Sequence, residues 1–324
     1  MTSAPDSPIP AGREPPALGP RRLLVIHNPV AGRRRRRRFR AVLQRLEALG
    51  CSVALRETTG PGDATRLARE ADPADGDALV AAGGDGTINE IVNGLVSGGR
   101  PARLPLGILP LGTSNVLAAE IGLSIDPAAV ARTIAGGRAC NVSLGRISGV
   151  TGGARAFVLM AGVGVDAHAV ADVDPALKRR FGPAAYVWAA LRQAWRSGGV
   201  TYRAVIDGAP HEAASLIVAN ASRYGGPFVV ARAARIDEPV FQVCLFGRGG
   251  LLPLACYAGA VILGQLHRVP SVRMVPATRV RIDGPAGDPL QGDGDILAHL
   301  PADIEIVPDA LTLLVPPDGR YGRK

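Results

Sequence analysis

Residues 83–87 combine three glycines with an acid and a threonine, Gly-Gly-Asp-Gly-Thr, directly after an apolar run from Ala78 to Ala82. Behind them, apolar side chains recur at the spacing of one helix face: Ile88, Ile91, Val92 and Leu95. The pattern predicts a strand, a turn and a helix. Glycines let the backbone approach a ligand, and a helix N-terminus offers free N–H groups, so such a turn can cradle an anion. A carboxylate inside the cradle, Asp85, suits a polyphosphate only if it holds a cation such as Mg²⁺ or accepts a ligand hydroxyl such as that of a ribose.

Two further glycine-bearing turns, Asn28–Gly32 and Gly112–Asn115, each follow a short apolar run. In an open α/β sheet, ligands bind outside the carboxyl ends of the strands, so the three turns are predicted to share one ligand-binding edge. Thr87 and Thr113 would add hydroxyl donors there. Ordinary βα turns are the alternative interpretation, because Gly and Asp are common in any turn. Three such turns with an acid in the central one favour a phosphate site.

These turns need a sheet to position them. The first part of the chain alternates apolar runs with segments of helical periodicity, which predicts parallel βαβ units and a doubly wound sheet. Strands are expected at 22–27, 51–55, 78–82 and 107–109, with helices at 39–49, 64–70, 88–96 and up to 119. From about residue 139 the chain shows β-like runs separated by Gly, Pro and Asp, with helical segments only near 184–196 and 251–266. We therefore expect a disordered tail at 1–20, an α/β domain at 21–138 and a β-rich domain at 139–307.

The chain carries a formal net charge of +9 and a pI of about 10.1. This positive net charge is compatible with nucleic acid, an anionic membrane or a phosphorylated ligand as the partner. Aromatic residues make up 4% of the chain, which argues against single-stranded nucleic acid, whose bases stack on aromatic rings. Four scattered cysteines without a C-x-x-C pair favour a reduced cytoplasmic protein. The apolar run 251–264 is too short to span a bilayer; burial in the core is the default interpretation, and an exposed helix that contacts lipid is the alternative.

Other nucleotide signatures do not fit. The sequence has no G-x-x-x-x-G-K-[ST] loop, so it is not a P-loop protein. A G-x-G-x-x-A match at Gly162–Ala167 lies in the β-rich half without a clear βαβ unit. We interpret it as a chance match.

The glycine turns carry a resemblance. Gly83–Thr87 followed by Asn89 and Glu90 resembles the GGDGT-x-N-E motif of the diacylglycerol kinase catalytic family, which includes sphingosine kinases and bacterial lipid kinases. That motif is shared with NAD kinases and phosphofructokinases, whereas Pro110–Asn115 resembles the P-x-G-T-x-N turn that is particular to the lipid kinases. Other matching segments are Asn28–Gly32, Thr58 with Gly62-Asp63-Ala64, Asn220 with Tyr224-Gly225-Gly226, and Asp293-Gly294-Asp295. The likeness extends from about residue 21 to 320.

The resemblance implies an ATP-dependent lipid kinase with a cleft between two domains. The first would be a three-layer α/β nucleotide-binding domain with a mostly parallel sheet, as in NAD kinases and phosphofructokinases, and the second a β-sandwich, with residues from about 308 to 324 returning to the first domain. ATP is then expected to contact Asn28, Pro29, Gly32, Thr58, Gly83, Gly84, Asp85, Gly86, Thr87, Asn89, Glu90, Gly112, Thr113 and Asn115. Asp85 would also hold Mg²⁺. The implied partners are a lipid with a free hydroxyl and an anionic membrane visited transiently from the cytoplasm; no nucleic acid is expected, and a homodimer is left open.

Asp293-Gly294-Asp295 occupies the place of the family's D-G-E, which supplies the base for the lipid hydroxyl. From the residues alone, Asp-Gly predicts a hairpin turn. The resemblance instead makes Asp293 and Asp295 candidate catalytic residues beside Asp85, and which of the two is the base stays open.

The sequence also departs from the family. Val116 and Ser143 stand where family acids surround the catalytic Mg²⁺, and Asp295 replaces the longer glutamate. A structural Mg²⁺ often lies near a D-D-G segment in this family; here Asp237-Glu238-Pro239 keeps the carboxylates, so Asp237 and Glu238 are candidate ligands.

Three alternatives remain from the sequence: an NAD kinase, a catalytically weak nucleotide- or lipid-binding regulator suggested by the missing acids, and a nucleic-acid-binding protein suggested by charge alone. The arginine run Arg33–Arg38 fits either a solvated helix face or contact with lipid headgroups or ATP phosphates. Nothing in the sequence identifies the acceptor lipid, with diacylglycerol and a sphingoid base among the candidates.

Overall fold

The structure is a computed structural model and describes residues 21–30, 35–97, 102–149, 153–172 and 200–321. The first domain contains a parallel sheet in the order β2-β1-β3-β4. Its strands are β1 (Arg22–His27), β2 (Ser52–Glu57), β3 (Ala78–Gly83) and β4 (Leu106–Pro110). Every residue of β3 and β4 is buried, as expected for central parallel strands covered on both faces. The edge strand β2 is largely exposed.

Five helices accompany this sheet: α1 (Arg36–Ala48), α2 (Asp63–Arg69), α3 (Asp85–Leu95), α4 (Val116–Glu120) and α5 (Pro127–Gly136). Helix α1 buries the predicted apolar face through Phe39, Val42 and Leu46. Helix α3 begins at Asp85, three residues before the apolar periodicity would place it. An acid in the first turn interacts favourably with the positive end of the helix dipole. The glycine turn therefore leads directly into the helix.

Two long strands join the domains. Strands β5 (Arg138–Gly149) and β18 (Ala302–Val315) pair antiparallel from Ala302–Gly149 to Val315–Arg138, with a break of register between Val307 and Leu311. Strand β18 also pairs parallel with β4. The C-terminal part of the chain thus lies beside the first domain's sheet, and the boundary predicted near 308 falls at the break of register.

The second domain is antiparallel and packs two sheets face to face. One sheet has the order β14-β13-β10-β7-β16-β17, and the other is the continuation of the first domain's sheet through β18-β15-β8-β9. The strands are β6 (Arg155–Phe157), β7 (Met160–Val163), β8 (Tyr202–Ile206), β9 (Ala209–Ala213), β10 (Ser215–Ala219), β11 (Arg223–Tyr224), β12 (Phe228–Val229), β13 (Phe241–Phe246), β14 (Val272–Ala277), β15 (Arg279–Asp283), β16 (Pro289–Gly292) and β17 (Asp295–His299). Buried side chains of both sheets, including Phe157 stacked on Phe241, form its core.

In the described part of this half, the helices are α6 (Val165–Asp172) and α7 (Leu251–Ile262), and a 3-10 turn follows at Leu266–Arg268. The G-x-G-x-x-A match spans the end of β7 and the start of α6, but β7 pairs antiparallel with both neighbours. It is therefore no βαβ unit, as predicted. The predicted tail at 1–20 and the predicted helix near 184–196 lie outside the described residues. Within the described ranges, no helix is both long and apolar enough to cross a bilayer.

A buried carboxylate ties the two domains together at the end of α4. The Glu120 carboxylate accepts hydrogen bonds from the hydroxyls of Ser222 and Tyr321 and from the N–H of Arg223. Arg320 lies 3.7 Å from it. Burial and the neighbouring Glu120 carboxylate raise the pKa of Tyr321. One side chain thus joins the first domain, a loop of the second and the C-terminal segment.

Glu120→Ala is expected to lower the free energy of unfolding by about 3 kcal/mol, because three donors would lose a buried, charged acceptor. Urea denaturation measures the effect. The matched control is Glu212→Ala, whose pair with Arg203 is exposed (64% and 79% of the two side chains) and should contribute under about 1 kcal/mol. Equal losses in the two variants would contradict the assigned role of Glu120.

Candidate active site

Two of the predicted glycine turns touch each other through their backbones. A Cβ added to Gly112 would lie 2.6 Å from the Gly84 Cα, and one added to Gly84 would lie 3.1 Å from the Gly112 Cα. The N–H of Leu111 also donates to the Gly83 carbonyl (2.8 Å). Asn115 closes the second turn, since its side chain accepts from the Gly112 N–H (2.7 Å) and donates to the Gly112 carbonyl (2.9 Å). The close contact leaves no room for a side chain on Gly112.

The first turn reaches the same edge. The Asn28 side chain donates to the hydroxyl of Thr87 (3.1 Å) and accepts from the N–H of Val30 (3.1 Å). The backbone N–H of Asn28 bonds to Ala82, at the end of β3. The Thr58 N–H bonds to His27 at the end of β1, and the Thr58 side chain is buried. Pro29 follows Asn28 in the turn, whereas Gly32 lies outside the described residues. The described residues of all three predicted turns therefore lie at the carboxyl ends of the parallel strands.

Asp85 begins α3 and also caps α4. The N–H groups of Val116 and Leu117 donate to its Oδ1 (2.8 and 3.4 Å). Burial raises the pKa of the Asp85 carboxyl, and the N–H groups at the start of α4 oppose that shift. The central acid of the Gly-Gly-Asp-Gly-Thr turn thus fixes the helix that follows the other glycine turn. Between these groups, Gly86 and Thr113 are exposed at the edge.

Asn89 lies one turn further along α3 and faces the second domain. Its side-chain amide donates to the Asp293 carboxylate (2.9 Å) and to the Ala156 carbonyl (3.3 Å). Asn93, another turn on, pairs with the backbone of Ala156 in both directions. Glu90 points the other way and accepts from the Gly62 N–H at the start of α2 (3.1 Å). The predicted ATP contacts of Asn89 and Glu90 stay predictions.

Asp293 is held by four N–H donors. Its carboxylate accepts from the backbone N–H groups of Val158 (2.7 Å), Leu159 (2.8 Å) and Met160 (3.1 Å) and from Asn89. Burial raises the pKa of Asp293, and these hydrogen bonds oppose the shift. A carboxylate that accepts this many hydrogen bonds is well suited to positioning neighbouring segments.

The next two residues complete a hairpin. Asp293 and Gly294 have φ of 52° and 90° and connect Gly292 to Asp295, which are paired across β16 and β17. Two consecutive positive φ values are typical of the tight turn that Asp-Gly predicts. Asp295 follows the turn with an exposed side chain. The two acids of the predicted catalytic segment therefore have different environments: one anchored, one open to solvent.

The two positions without the family's acids are both buried. Val116 donates its N–H to Asp85, and Ser143 lies in β5, where its carbonyl accepts from the Asn220 side chain (2.8 Å). The exposed fraction is 7% for Val116 and 3% for Ser143. Of the acids in the predicted Mg²⁺ network, only Asp85 lies at the glycine turns. A single carboxylate is sufficient for Mg²⁺, which binds through one or two carboxylates together with substrate phosphates and water.

The second predicted metal site does not fit a cation. Both oxygens of Asp237 pair with the Arg235 guanidinium (2.9 and 2.8 Å), and Glu238 pairs with the same guanidinium (3.2 Å). No cluster of three or more metal-binding side chains occurs in the described part of the chain. Arg235 lies 5.3 Å from the centre of the Tyr321 ring. Its guanidinium neutralises the carboxylates that a structural Mg²⁺ would need.

Chelation is therefore expected to leave the stability of the nucleotide-free protein unchanged. Thermal denaturation with EDTA and with Mg²⁺ should give the same Tm, whereas Arg235→Gln should lower the free energy of unfolding by about 2 kcal/mol because two carboxylates lose their partner. Arg281→Gln is the control, since its ion pairs are about half exposed and contribute little. A Tm that falls in EDTA would show that a structural metal is present.

The structure distinguishes two members of the predicted arginine run, Arg35 and Arg38. Arg38 donates to the carbonyl of Pro110 (3.4 Å), at the start of the second glycine turn. Arg35 lies close by: burial, followed by the charge of Arg38, lowers the pKa of its guanidinium, and its Nη1 is buried without a hydrogen-bond partner among the described residues. The arginine run was seen, but its members could not be told apart without the helix that orients them. Arg33 and Arg34 lie outside the described residues.

Comparison with known proteins identifies the family. Residues 22–147 match the diacylglycerol kinase catalytic domain, and residues 160–315 match the YegS C-terminal NAD kinase beta sandwich-like domain. A protein of Pseudomonas aeruginosa named "Probable lipid kinase YegS-like" is 32% identical over 302 residues, which cover 86% of this chain and 94% of that protein. The chain belongs to the diacylglycerol kinase family. This membership confirms the resemblance seen in the sequence and places the chain among lipid kinases.

Other members of the diacylglycerol kinase family match most of the chain. The diacylglycerol kinase of Bacillus subtilis (strain 168) is 29% identical over 287 residues, 87% of this chain and 92% of that protein. The crystal structure of a diacylglycerol kinase from Bacillus anthracis superposes with a TM-score of 0.74 at 23% identity and covers 91% of this chain and 97% of that one. At this identity the structural likeness concerns the fold, and it confirms the predicted α/β domain followed by a β-rich domain.

Proposed function

We propose that the protein transfers the γ-phosphate of ATP to the hydroxyl of a lipid such as diacylglycerol or a sphingoid base. The observation that carries this proposal is the 2.9 Å hydrogen bond between Asn89 of α3 and Asp293 of the second domain. Asn89 is four residues from Asp85 on one helix, a separation of about 6 Å along the axis. The bond therefore brings the Asp-Gly-Asp hairpin beside the turn that is suited to polyphosphate.

In this proposal, the three glycine turns bind the phosphates. Gly84 and Gly112 let the backbone approach the nucleotide, and the N-terminus of α3 offers N–H groups to its negative charge. Arg35 and Arg38 supply positive charge at the same edge, because neither has an acidic partner among the described residues. An unpaired, partly buried guanidinium is well suited to bind a phosphate.

Asp85 is the residue that would hold Mg²⁺, which supplies neutralisation of the charge on the phosphates. Asp295 would act as the base. Its carboxylate accepts the proton of the lipid hydroxyl, the hydroxyl oxygen forms a bond to the γ-phosphorus, and the bond from that phosphorus to the bridging β–γ oxygen breaks, which releases ADP. Asp293 would position this base without taking the proton, since N–H donors already occupy its oxygens.

The test incubates the purified protein with γ-labelled ATP, Mg²⁺ and a panel of diacylglycerol, sphingoid base, ceramide and phosphatidylglycerol in mixed micelles, with NAD as a further acceptor. Label on a lipid that is lost in Asp85→Ala and Asp295→Asn supports the proposal and identifies the substrate. Label on NAD would contradict it.

A second candidate function is a nucleotide- or lipid-binding regulator with weak or no turnover. The buried, uncharged Val116 and Ser143 at positions of family acids favour it. ATP binding by calorimetry, with no label transferred to any acceptor in the panel, would support this alternative over the kinase.

A further inference from the structure

Helix α7 presents an apolar face to solvent. Its twelve residues, Leu-Leu-Pro-Leu-Ala-Cys-Tyr-Ala-Gly-Ala-Val-Ile, include no charged side chain, and Tyr257 is its one buried residue. Leu252, Ile262 and the following Leu263 are exposed at 84%, 68% and 73%. These positions lie on one helix face with the exposed Ala255 and Cys256 between them. The sequence had favoured burial of this segment in the core, and the structure contradicts that default.

The opposite face explains why the helix keeps this orientation. The Tyr257 ring packs on Phe246 with a centroid distance of 5.0 Å. Its hydroxyl bonds to the Ser271 hydroxyl (3.0 Å) and donates to the Arg248 carbonyl (3.2 Å). Tyr257, with the partly buried Ala260 and Val261, holds the helix on the domain, and Leu252 and Ile262 are exposed.

The sequence on either side of the helix carries charge of a single sign. From residue 239 to residue 282 the chain contains no Asp or Glu, but it contains five arginines and one histidine. Arg248 lies just before the helix and His267 and Arg268 just after it, and all three are exposed. Basic side chains at both ends of an uncharged apolar helix complement an anionic lipid surface, whose headgroups attract the charges while the acyl region receives the apolar face.

The helix is also connected to the candidate active site. The hairpin of β11 and β12 contacts α7 on one side and α4 on the other, and it carries the half-exposed Phe228. Helix α4 is the helix capped by Asp85. Helix α7 is therefore separated by one hairpin from the helix that Asp85 caps.

We propose that the membrane-docking surface, formed by Leu252, Ile262, Leu263 and Phe228 with Arg248 and Arg268 at its rim, seats the protein on an anionic bilayer. This inference rests on the proposed function in one respect, because a kinase whose acceptor is a lipid must meet that lipid in a bilayer. The surface orients the candidate active site toward the membrane.

A cysteine already present in the chain can be labelled to report membrane binding at this surface. Cys256 is exposed on the docking face, whereas Cys51, Cys140 and Cys244 are buried, so an environment-sensitive thiol dye should label Cys256 selectively. The labelled full chain is mixed with phosphatidylcholine vesicles, with or without an equal share of phosphatidylglycerol. A blue shift of the dye on the anionic vesicles is expected. Flotation of unlabelled protein with the same vesicles checks that the dye does not cause binding.

Leu252→Asp and Ile262→Asp should each weaken vesicle binding at least about tenfold, and Arg268→Gln about fivefold. The matched control is Ile125→Asp, an apolar residue of the first domain that is also exposed (56%), which should bind as the wild type does. Wild-type binding by both α7 variants, or no blue shift on anionic vesicles, would overturn the proposal. A blue shift that grows with protein concentration without vesicles would assign the face to a second copy of the chain instead.

Activity separates this proposal from the proposed function. On a short-chain diacylglycerol dissolved as monomers, Leu252→Asp should keep the wild-type kcat/KM, and on the same lipid type in anionic vesicles it should lose at least about tenfold, as its binding does. If the wild type phosphorylates neither form of diacylglycerol nor any other lipid of the panel, the kinase proposal fails, while the fluorescence result still decides whether the surface binds membrane.

Discussion

Replacing Gly112 with alanine is expected to lower kcat/KM for phosphate transfer at least about 100-fold. The added Cβ would lie 2.6 Å from the Gly84 Cα and 2.8 Å from the Asn115 Oδ1. Carbon atoms in favourable contact are about 3.5–4.0 Å apart, so one of the two glycine turns must move by about 1 Å. A displacement of this size in a site that positions reacting groups can cost a factor of about 100.

The substitution should act mainly by weakening the binding of ATP. Both turns are predicted ATP contacts, and the Asn115 side chain that closes the second turn would be pushed away from its two hydrogen bonds to Gly112. Calorimetric titration with ATP should show weakened binding, whereas circular dichroism should show that the variant is folded.

Gly60→Ala is the control for a glycine-to-alanine change in the same domain, because a Cβ at Gly60 meets nothing within 4 Å. It should keep ATP affinity and turnover within about twofold of the wild type. Turnover by Gly112→Ala within threefold of the wild type would show that the contact between the turns is not needed for the reaction.

Asp293→Asn and Asp295→Asn are both expected to lose activity, but for different reasons. The Asp293 carboxylate accepts four N–H donors, and an amide in its place directs an NH₂ group at some of them. Because a buried donor without an acceptor costs about 1–3 kcal/mol, Asp293→Asn should lower the free energy of unfolding by about 2–4 kcal/mol. Activity would fall with it, since the turn that carries Asp295 loses its anchor.

Asp295→Asn should leave stability within about 0.5 kcal/mol, as usual for an exposed substitution. Its turnover should nevertheless fall by about 10²–10⁴-fold, the typical contribution of a general base. ATP affinity should stay unchanged, because the base acts on the lipid hydroxyl. The comparison therefore needs urea denaturation, ATP titration and initial rates for each variant.

Asp303→Asn removes another exposed acid, on β18, where it pairs with Arg281. It should retain wild-type activity. If Asp295→Asn behaves like this control, Asp295 is not the base; if Asp293→Asn is as stable as the wild type, its four hydrogen bonds do not anchor the hairpin.

Local features of this fold could be predicted because residue type determines them within a few positions. The end of β3 and the turn before α3 follow from an apolar run that stops at Gly83 and Gly84. The hairpin at Asp293-Gly294 follows from the low cost of positive φ for these residues in tight turns. The parallel order of the first domain follows from alternation of strands and helices.

Contacts between distant segments could not be predicted in this way. Asn89 and Asp293 are 204 positions apart, and Glu120 and Tyr321 are 201 apart. No spacing rule links such pairs, because periodicity reports only the face of a local element. The family resemblance suggested that these segments share a cleft, but it did not distinguish the anchored Asp293 from the exposed Asp295.

Long strands were also hidden from the sequence. Strand β18 contains Pro308-Asp309, which is typical of a turn, and Asp309 has a positive φ (48°). The structure places these residues at the break of register, where they have no partner residue in β5. Strand β5 was not predicted, although Cys140, Val142 and Leu144 alternate with the polar Asn141 and Ser143 as in a strand.

The pairing of β5 with β18 limits how this chain can be recombined. Both strands contribute to the sheet of the first domain and to the sandwich of the second, so neither domain can be cut out with all of its strands. A chimera that joins the first domain of one relative to the second domain of another must take β5 and β18 from the same parent, or fit two foreign strands together along their whole length. Exchange of substrate preference between relatives is therefore easier through short loops of the sandwich than through whole domains.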